Sequence, residues 1–278
     1  MVASRSMMVG FEHNDMEDLE RLLKLQDAED KKNPAKAKAV RRFIVAEGLY
    51  EYTGDIAPLD KLVDLKFKYK VRLFLEESMS FGVLGKTGKG ITEHFGISID
   101  KIDAMAASMG NALGSIGGFV CGRSYVIDHQ RLSGAGYCYS ASLPPLLASA
   151  AIKALDMIEE SNGEYQQKVA ANSTIVHGLV SNIAGMVVQG DLTSPVLHLR
   201  LKDADAPRHE QDTILAAIVA QSLQAGVALV SPRYITEEEF SAPLPSIRLG
   251  VSAGHTEKEL KAALKTVAAV VAKVLKSN

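Results

Sequence analysis

Three stretches decide the fold class: Phe43-Ile44-Val45-Ala46-Glu47-Gly48, then Leu59 to Tyr69, then Val71-Arg72-Leu73-Phe74-Leu75-Glu76-Glu77. The first and third are short, rich in branched and aromatic residues, and too brief for helices, so each predicts a strand. Thr53-Gly54-Asp55 and Pro58 punctuate the chain before the middle stretch, whose apolar residues recur at helical spacing. Strand, helix and strand in that order predict a βαβ unit with parallel strands and a right-handed crossover. In open α/β sheets ligands gather at the carboxyl ends of the strands. Glu47, Glu76 and Glu77 fall at that place, although a strand-end carboxylate also serves as a helix cap or loop residue.

Upstream of the unit, Asp15 precedes an acidic first turn and Leu19, Leu22 and Leu23, which predicts a capped amphipathic helix. Residues 27–42 mix both charge signs around Pro34 and read as a solvated helix end and loop. Downstream, Ile102 to Ser108 is a candidate strand, and Gly114-Ser115-Ile116-Gly117-Gly118 is a turn leading into Phe119-Val120-Cys121. One long helix is expected from Pro145 to about Leu179, followed by a strand Val196–Leu201 and a helix Glu210–Gln224 ended by Gly226. Strands Val227–Val230 and Ile247–Val251 come next. Thr256 and Glu259 then form a capping box for a last helix to Leu275, with Leu260, Ala263, Leu264, Val267, Val271 and Val274 on one face. The expected organisation is a large α/β domain over residues 1–160 and a small α+β domain over 161–278, with the boundary inside the long helix.

Composition narrows function. With 31 basic and 33 acidic residues among 278, the net charge is −2, against the clustered basic excess of a nucleic-acid binder. No apolar run approaches the roughly 18 residues of a membrane span. Met1 to Asp15 lack the apolar core of a secretion signal, so no cleaved leader is expected. Cys121 and Cys138 read as reduced, buried small residues in a reducing compartment. The seven histidines show no zinc spacing, and metal binding is not expected. No nucleophile elbow and no phosphate-binding lysine motif occurs. Gly85-Lys86-Thr87-Gly88-Lys89-Gly90 has the wrong spacing for the latter and reads as a basic solvated turn.

The order Glu47-Gly48, Thr53-Gly54-Asp55-Ile56-Ala57-Pro58, Glu76 to Gly85, Gly114 to Gly118 and Tyr139 to Pro145 resembles the α-oxoamine synthases. That family consists of fold-type I pyridoxal-phosphate enzymes that condense an amino acid with an acyl-CoA and release carbon dioxide. Within it, Ser4-Arg5-Ser6, His13-Asn14-Asp15, Arg41-Arg42-Phe43 and Asp128 to Gly134 are most similar to the non-catalytic long-chain-base subunits of serine palmitoyltransferases. The resemblance runs from about Ser4 to the C-terminus. It implies an aminotransferase-like fold whose large domain is incomplete at the N-terminus, joined to the small C-terminal domain.

The departures from the family's catalytic pattern carry the chemistry. Asn111 occupies the place of the Schiff-base lysine, and an amide nitrogen, delocalised into its carbonyl, cannot form that linkage. Glu76 stands where the family has the aspartate that pairs with the pyridinium, and Met79 where it has a histidine. The resemblance therefore implies a subunit with no catalytic residue of its own. It further implies a heterodimer whose lysine-bearing catalytic partner mainly holds pyridoxal 5'-phosphate and joins L-serine to a long-chain acyl-CoA. Ser140 matches a segment that approaches the partner's cofactor phosphate, or else satisfies local backbone. Arg248 matches the substrate-carboxylate arginine and is expected in a structural salt bridge, while Gly117 and Gly118 are expected as scaffold. His255 is expected at an interface or in a loop.

The resemblance places Met1 inside the family's large domain, so the chain is expected to be a fragment, and it implies the cytosolic face of the endoplasmic-reticulum membrane. Two other readings compete: a self-sufficient homodimeric α-oxoamine synthase or aminotransferase, against which Asn111 speaks, and a non-catalytic truncated interaction protein.

Overall fold

A computed structural model describes residues 4–203, 205–235 and 242–277. Its first sheet has the order β1-β2-β3-β4, with β1 Phe43–Glu47, β2 Arg72–Glu76, β3 Ala104–Ser108 and β4 Gly118–Gly122. β1, β2 and β3 run parallel, and Glu47 lies directly beside Glu76 in register. β4 returns antiparallel to β3, pairing Ser108 with Gly118, so the Gly-rich turn closes a hairpin and not a second crossover.

Alternation within β1 and β2 puts Ile44, Ala46, Leu73 and Leu75 in the core, and the polar strand ends outside it. Helix α3 (Leu59–Tyr69) joins these strands and buries Leu59, Leu62, Val63 and Leu65 in the same cluster. Each fully buried leucine contributes roughly 1.5–3 kcal/mol relative to exposure. Ahead of the sheet, α1 (Met16–Lys32) starts where the Asp15 carboxylate accepts from the Glu17 and Asp18 amides at 2.9 and 3.0 Å. The expected loop after it is partly helical: α2 (Pro34–Ala39) begins with Pro34 in its first turn and Asn33 capping the Lys36 amide.

Between β2 and β4 lie α4 (Ile91–His94) and a single 3-10 turn, Ile99–Lys101. After β4 come α5 (Ser124–Ser133), α6 (Ala135–Cys138) and α7 (Pro145–Glu160). The long helix expected to Leu179 is in fact broken: α7 stops, Asn162 and Gly163 take positive φ values of 47° and 88°, and α8 runs Glu164–Val180. A β-carbon on Gly163 would sit 2.3 Å from the Lys86 carbonyl oxygen, so the break also seats the chain against the loop after β2.

The second sheet is antiparallel with order β5-β6-β7, made of Met186–Gln189, Val196–Leu201 and Ile247–Gly250. Sequence reading did not anticipate β5. It did expect a strand at Val227–Val230, where the structure has only a single bridge between Val230 and Arg248. Against this sheet pack α8, α9 (Arg208–Gln224) and α10 (Glu257–Ser277), burying Val176, Val180, Leu215, Ile218, Val267 and Val271. The capping box forms as expected: the Glu259 carboxylate accepts from the Thr256 amide at 2.9 Å, and the Thr256 hydroxyl accepts from the Glu259 amide at 3.3 Å.

Candidate functional site

The carboxyl ends of β1 and β2 bring three carboxylates together. Burial pushes the Glu47 carboxyl above the usual carboxylate range. Beside it, Glu76 accepts from the Ser78 amide at 3.1 Å and from the Ser78 hydroxyl. Glu77 is fully buried, accepting from the Ser80 hydroxyl at 2.6 Å and the Ile91 amide at 3.0 Å, and burial raises its pKa as well. Glu77 thus clips the next loop to the strand end and faces no open site.

The basic turn expected at residues 85–90 has its Lys86 and Lys89 side chains exposed, but its backbone is tied down. Gly88 and Gly90 are buried, and the Glu93 carboxylate accepts from the Thr87 amide at 2.9 Å, the Thr87 hydroxyl at 2.8 Å and the Lys89 amide at 3.1 Å. Donors that would cradle a phosphate are already taken by the chain's own carboxylate.

The β3–β4 turn sits over the end of β2. The Asn111 amide donates to the Ser78 carbonyl at 2.8 Å and to the Met79 sulfur at 3.1 Å, while the Ser108 amide donates to the Ser78 hydroxyl at 2.7 Å. Glu76, Met79 and Asn111 therefore gather around Ser78. Asn111 is exposed, has no nucleophilic nitrogen, and spends its donors on main chain and thioether. Met79 offers only a weak acceptor. These residues do not fit a pyridoxal phosphate attached to this chain.

A second cluster lies where the loop after β1 meets the small sheet. Arg248 on β7 pairs with Glu51, the structural salt bridge expected of it. Next to it His198 is 1% exposed, with Nε2 2.9 Å from the Glu51 carbonyl oxygen and Nδ1 2.9 Å from the Ser246 hydroxyl. The geometry assigns the ring proton to Nε2, which donates to the carbonyl, and leaves Nδ1 to accept from Ser246. Burial, aided by Arg248 and Arg200, holds His198 below the usual histidine range. The same loop is held by Asp191, whose carboxylate accepts from the Ile56 amide at 2.5 Å and whose amide donates to the Gly54 carbonyl at 3.0 Å. Gly54 lies so close that a β-carbon there would be 2.2 Å from the Val196 carbonyl oxygen, at a φ of +77°. Sequence reading missed His198 and Asp191. The only signal was a histidine set in the apolar run Val196-Leu197-His198-Leu199.

The remaining candidates stand apart. Ser140 follows α6, not a strand, and its exposed hydroxyl donates to the Gly136 carbonyl at 2.6 Å. Among the described residues, neither Ser140 nor Arg248 is hydrogen-bonded or ion-paired to Glu76, Met79 or Asn111. Gly117 and Gly118 shape the turn into β4. His255 lies in an exposed loop, its Nδ1 accepting from the Ser252 amide at 3.2 Å and its carbonyl from Asn172 at 2.9 Å. Cys121 and Cys138 are free but exposed, not buried, because β4 is an edge strand and α6 a surface turn. Among the described residues, no group of three or more His, Cys, Asp or Glu side chains could hold a metal ion, and no helix is long and apolar enough to cross a membrane.

The sequence model of the aminotransferase class I and II family matches residues 3–267. Long chain base biosynthesis protein 1b of Oryza sativa subsp. japonica is 42% identical over 273 residues, spanning 98% of this chain and 56% of that protein. Serine palmitoyltransferase 1 of Dictyostelium discoideum is 39% identical over 281 residues, spanning 99% of this chain and 58% of its own length. The chain thus spans about half the length of the curated relatives it matches. Among solved structures, the Sphingomonas wittichii serine palmitoyltransferase superposes with a TM-score of 0.80 at 22% identity, covering 97% of this chain and 62% of that one. The 8-amino-7-oxononanoate synthase of Francisella tularensis superposes at 0.74 with 23% identity, covering 98% of this chain and 71% of that one. At these identities the two structures establish the fold.

Proposed function

We propose, from the premise that this chain belongs to the aminotransferase class I and II family, that it is the lysine-less subunit of a serine palmitoyltransferase. The observation that carries this reading is Asn111, held by Ser78 and Met79, which the resemblance aligns with the family's cofactor-attaching lysine. A chain that has replaced the attachment point and the neighbouring histidine position, yet keeps the fold, acts by supporting another chain. In this reading a lysine-bearing partner holds pyridoxal phosphate, which supplies the electron sink for decarboxylation. The partner condenses L-serine with a long-chain acyl-CoA to a 3-keto sphingoid base and carbon dioxide, the first step of sphingolipid biosynthesis.

This chain's residues then have supporting roles. Ser140, exposed beyond α6, turns toward the partner's cofactor phosphate after giving up its bond to Gly136. Glu76 and Met79 remain as degenerate ring-contact positions, and Arg248, neutralised by Glu51, as a degenerate carboxylate anchor. The same reading divides the chain near residue 160 and places the complex on the cytosolic face of the endoplasmic reticulum. Names of relatives and the fold support the subunit assignment.

The test is co-purification of this chain with the lysine-bearing subunit of the same organism, followed by assay of serine- and acyl-CoA-dependent product. Co-elution with activity above that of the partner alone is the expected result. A chain that neither binds the partner nor raises its activity, alone or extended upstream in its reading frame, contradicts the proposal.

A further inference from the structure

The residues at the amino ends of the strands, opposite the candidate site, form a surface that the transferase reading does not use. Residues 31–42 hold six basic side chains and no acidic one, and residues 66–72 hold four and none, in a chain whose net charge is −2. Pairing of β1 with β2 fuses these two segments: Phe43 lies opposite Arg72, and the Arg72 amide donates to the Arg42 carbonyl at 2.9 Å. Some of the charge is spent internally, with Arg42 on Asp30, Lys66 on Asp103, and Lys68 on Glu20. Lys36, Lys38, Arg41 and Lys70 are exposed and have no carboxylate partner among the described residues.

Apolar side chains stand out of the same patch. Val40 is 42% exposed and Phe43 is 49% exposed, with the Arg72 guanidinium 5.8 Å from the Phe43 ring centroid. A branched aliphatic and an aromatic residue, one beside an arginine guanidinium and both within a few positions of unpaired cations in the chain, do not gain from water. They gain from a surface that is apolar just beneath a layer of negative charge.

We infer that this end of the sheet docks on an anionic lipid surface, with Lys36, Lys38, Arg41 and Lys70 on headgroup phosphates and Val40 and Phe43 entering the interface. Charge alone would suit a nucleic acid equally. Val40, which offers no stacking face, favours lipid, as does the pairing of two modest signals, basic cluster and apolar wedge, that together hold a protein on a membrane. Docked this way, the chain turns the carboxyl ends of its strands, with Glu47, Glu76 and Asn111, away from the bilayer. The inference deepens the membrane placement in the proposed function, but the patch shares no residue with the transferase site, so vesicle binding and partner activity can fail separately.

The test is sedimentation of the whole 278-residue chain with vesicles of phosphatidylcholine alone and with vesicles containing about one-third phosphatidylserine. Binding to the anionic vesicles only, weakening steeply as salt shortens the screening length, is expected. The triple charge reversal Lys38→Glu, Arg41→Glu, Lys70→Glu should lower the partition coefficient about a hundredfold or more. Reversal of Lys258, Lys265 and Lys273, exposed on α10, should leave it within about twofold. Far-ultraviolet circular dichroism confirms that each variant folds. If the first triple misfolds, Lys38→Gln with Val40→Ser gives the same readout with less disturbance. Equal binding to neutral vesicles, no binding to either, equal loss from both triples, or displacement of the chain from vesicles by a single-stranded RNA oligonucleotide that binds more tightly would each overturn the inference.

Discussion

At the β3–β4 turn, Asn111 is exposed and rests on one main-chain carbonyl and a thioether; at the small sheet, Arg248 meets Glu51 beside a histidine that is 1% exposed and bonded at both nitrogens. In the proposed function both places stand at former ligand-handling positions; in the structure each is occupied by the chain's own groups. The difference lies in depth. Contacts at Asn111 are few and reachable by water, so that turn is free to change at little cost to the fold. The Arg248 cluster lies where the loop after β1 is seated on β6, so it serves the architecture before any ligand. The Asn111 turn is thus a shallow surface contact, whereas the Arg248 cluster is a structural joint.

The sharpest way to break this contrast is at Gly54. Gly54→Ala forces a side chain into a positive-φ position against the Val196 carbonyl and should cost about 3 kcal/mol or more. A urea midpoint equal to that of the unaltered chain would mean that the loop is not seated on β6. Next in size is His198→Leu, which strands the Glu51 carbonyl and the Ser246 hydroxyl and should cost about 2 kcal/mol. Its pH signature sharpens the point. Because the folded-state pKa of His198 lies below the unfolded value, the unfolded chain binds the proton more readily. The contribution of His198 is full above about pH 6.5 and is lost as pH falls from there through the folded pKa. Stability curves from pH 7.5 to 5 should show that loss in the unaltered chain and a shallower one in His198→Leu; parallel curves would count against a buried neutral histidine.

The smallest effect belongs to Asn111. Asn111→Lys should shift stability by no more than about 0.5 kcal/mol. It should also leave the chain without cofactor absorbance near the visible edge, because Met79 and Glu76 stay in place. A chain that takes up stoichiometric pyridoxal phosphate on this one change would show that only the lysine had been missing.

Much of the fold was legible where local signals are strong. Leu59–Tyr69, Val196–Leu201 and the Thr256–Glu259 cap lie where periodicity and capping chemistry put them. The break between α7 and α8 was written in Ser161-Asn162-Gly163, a turn signal outweighed by the apolar pattern on either side. Val227–Val230 has strand composition but pairs only at Val230, because strand formation depends on a neighbour that composition does not specify. The Glu76, Met79 and Asn111 grouping was legible through a family pattern spread over distant segments. The bonds from His198 to Glu51 and from Asp191 to Ile56 were not, since they join residues more than a hundred positions apart and follow no local rule.

The most direct test is borohydride reduction of the complex proposed between this chain and a lysine-bearing subunit in the presence of pyridoxal phosphate, with peptide mapping by mass spectrometry. Reduction fixes a phosphopyridoxyl group on whichever lysine carries the cofactor. Stoichiometric label on the lysine-bearing subunit and none above background on this chain is expected. Stoichiometric label on any lysine of this chain would contradict the proposed function.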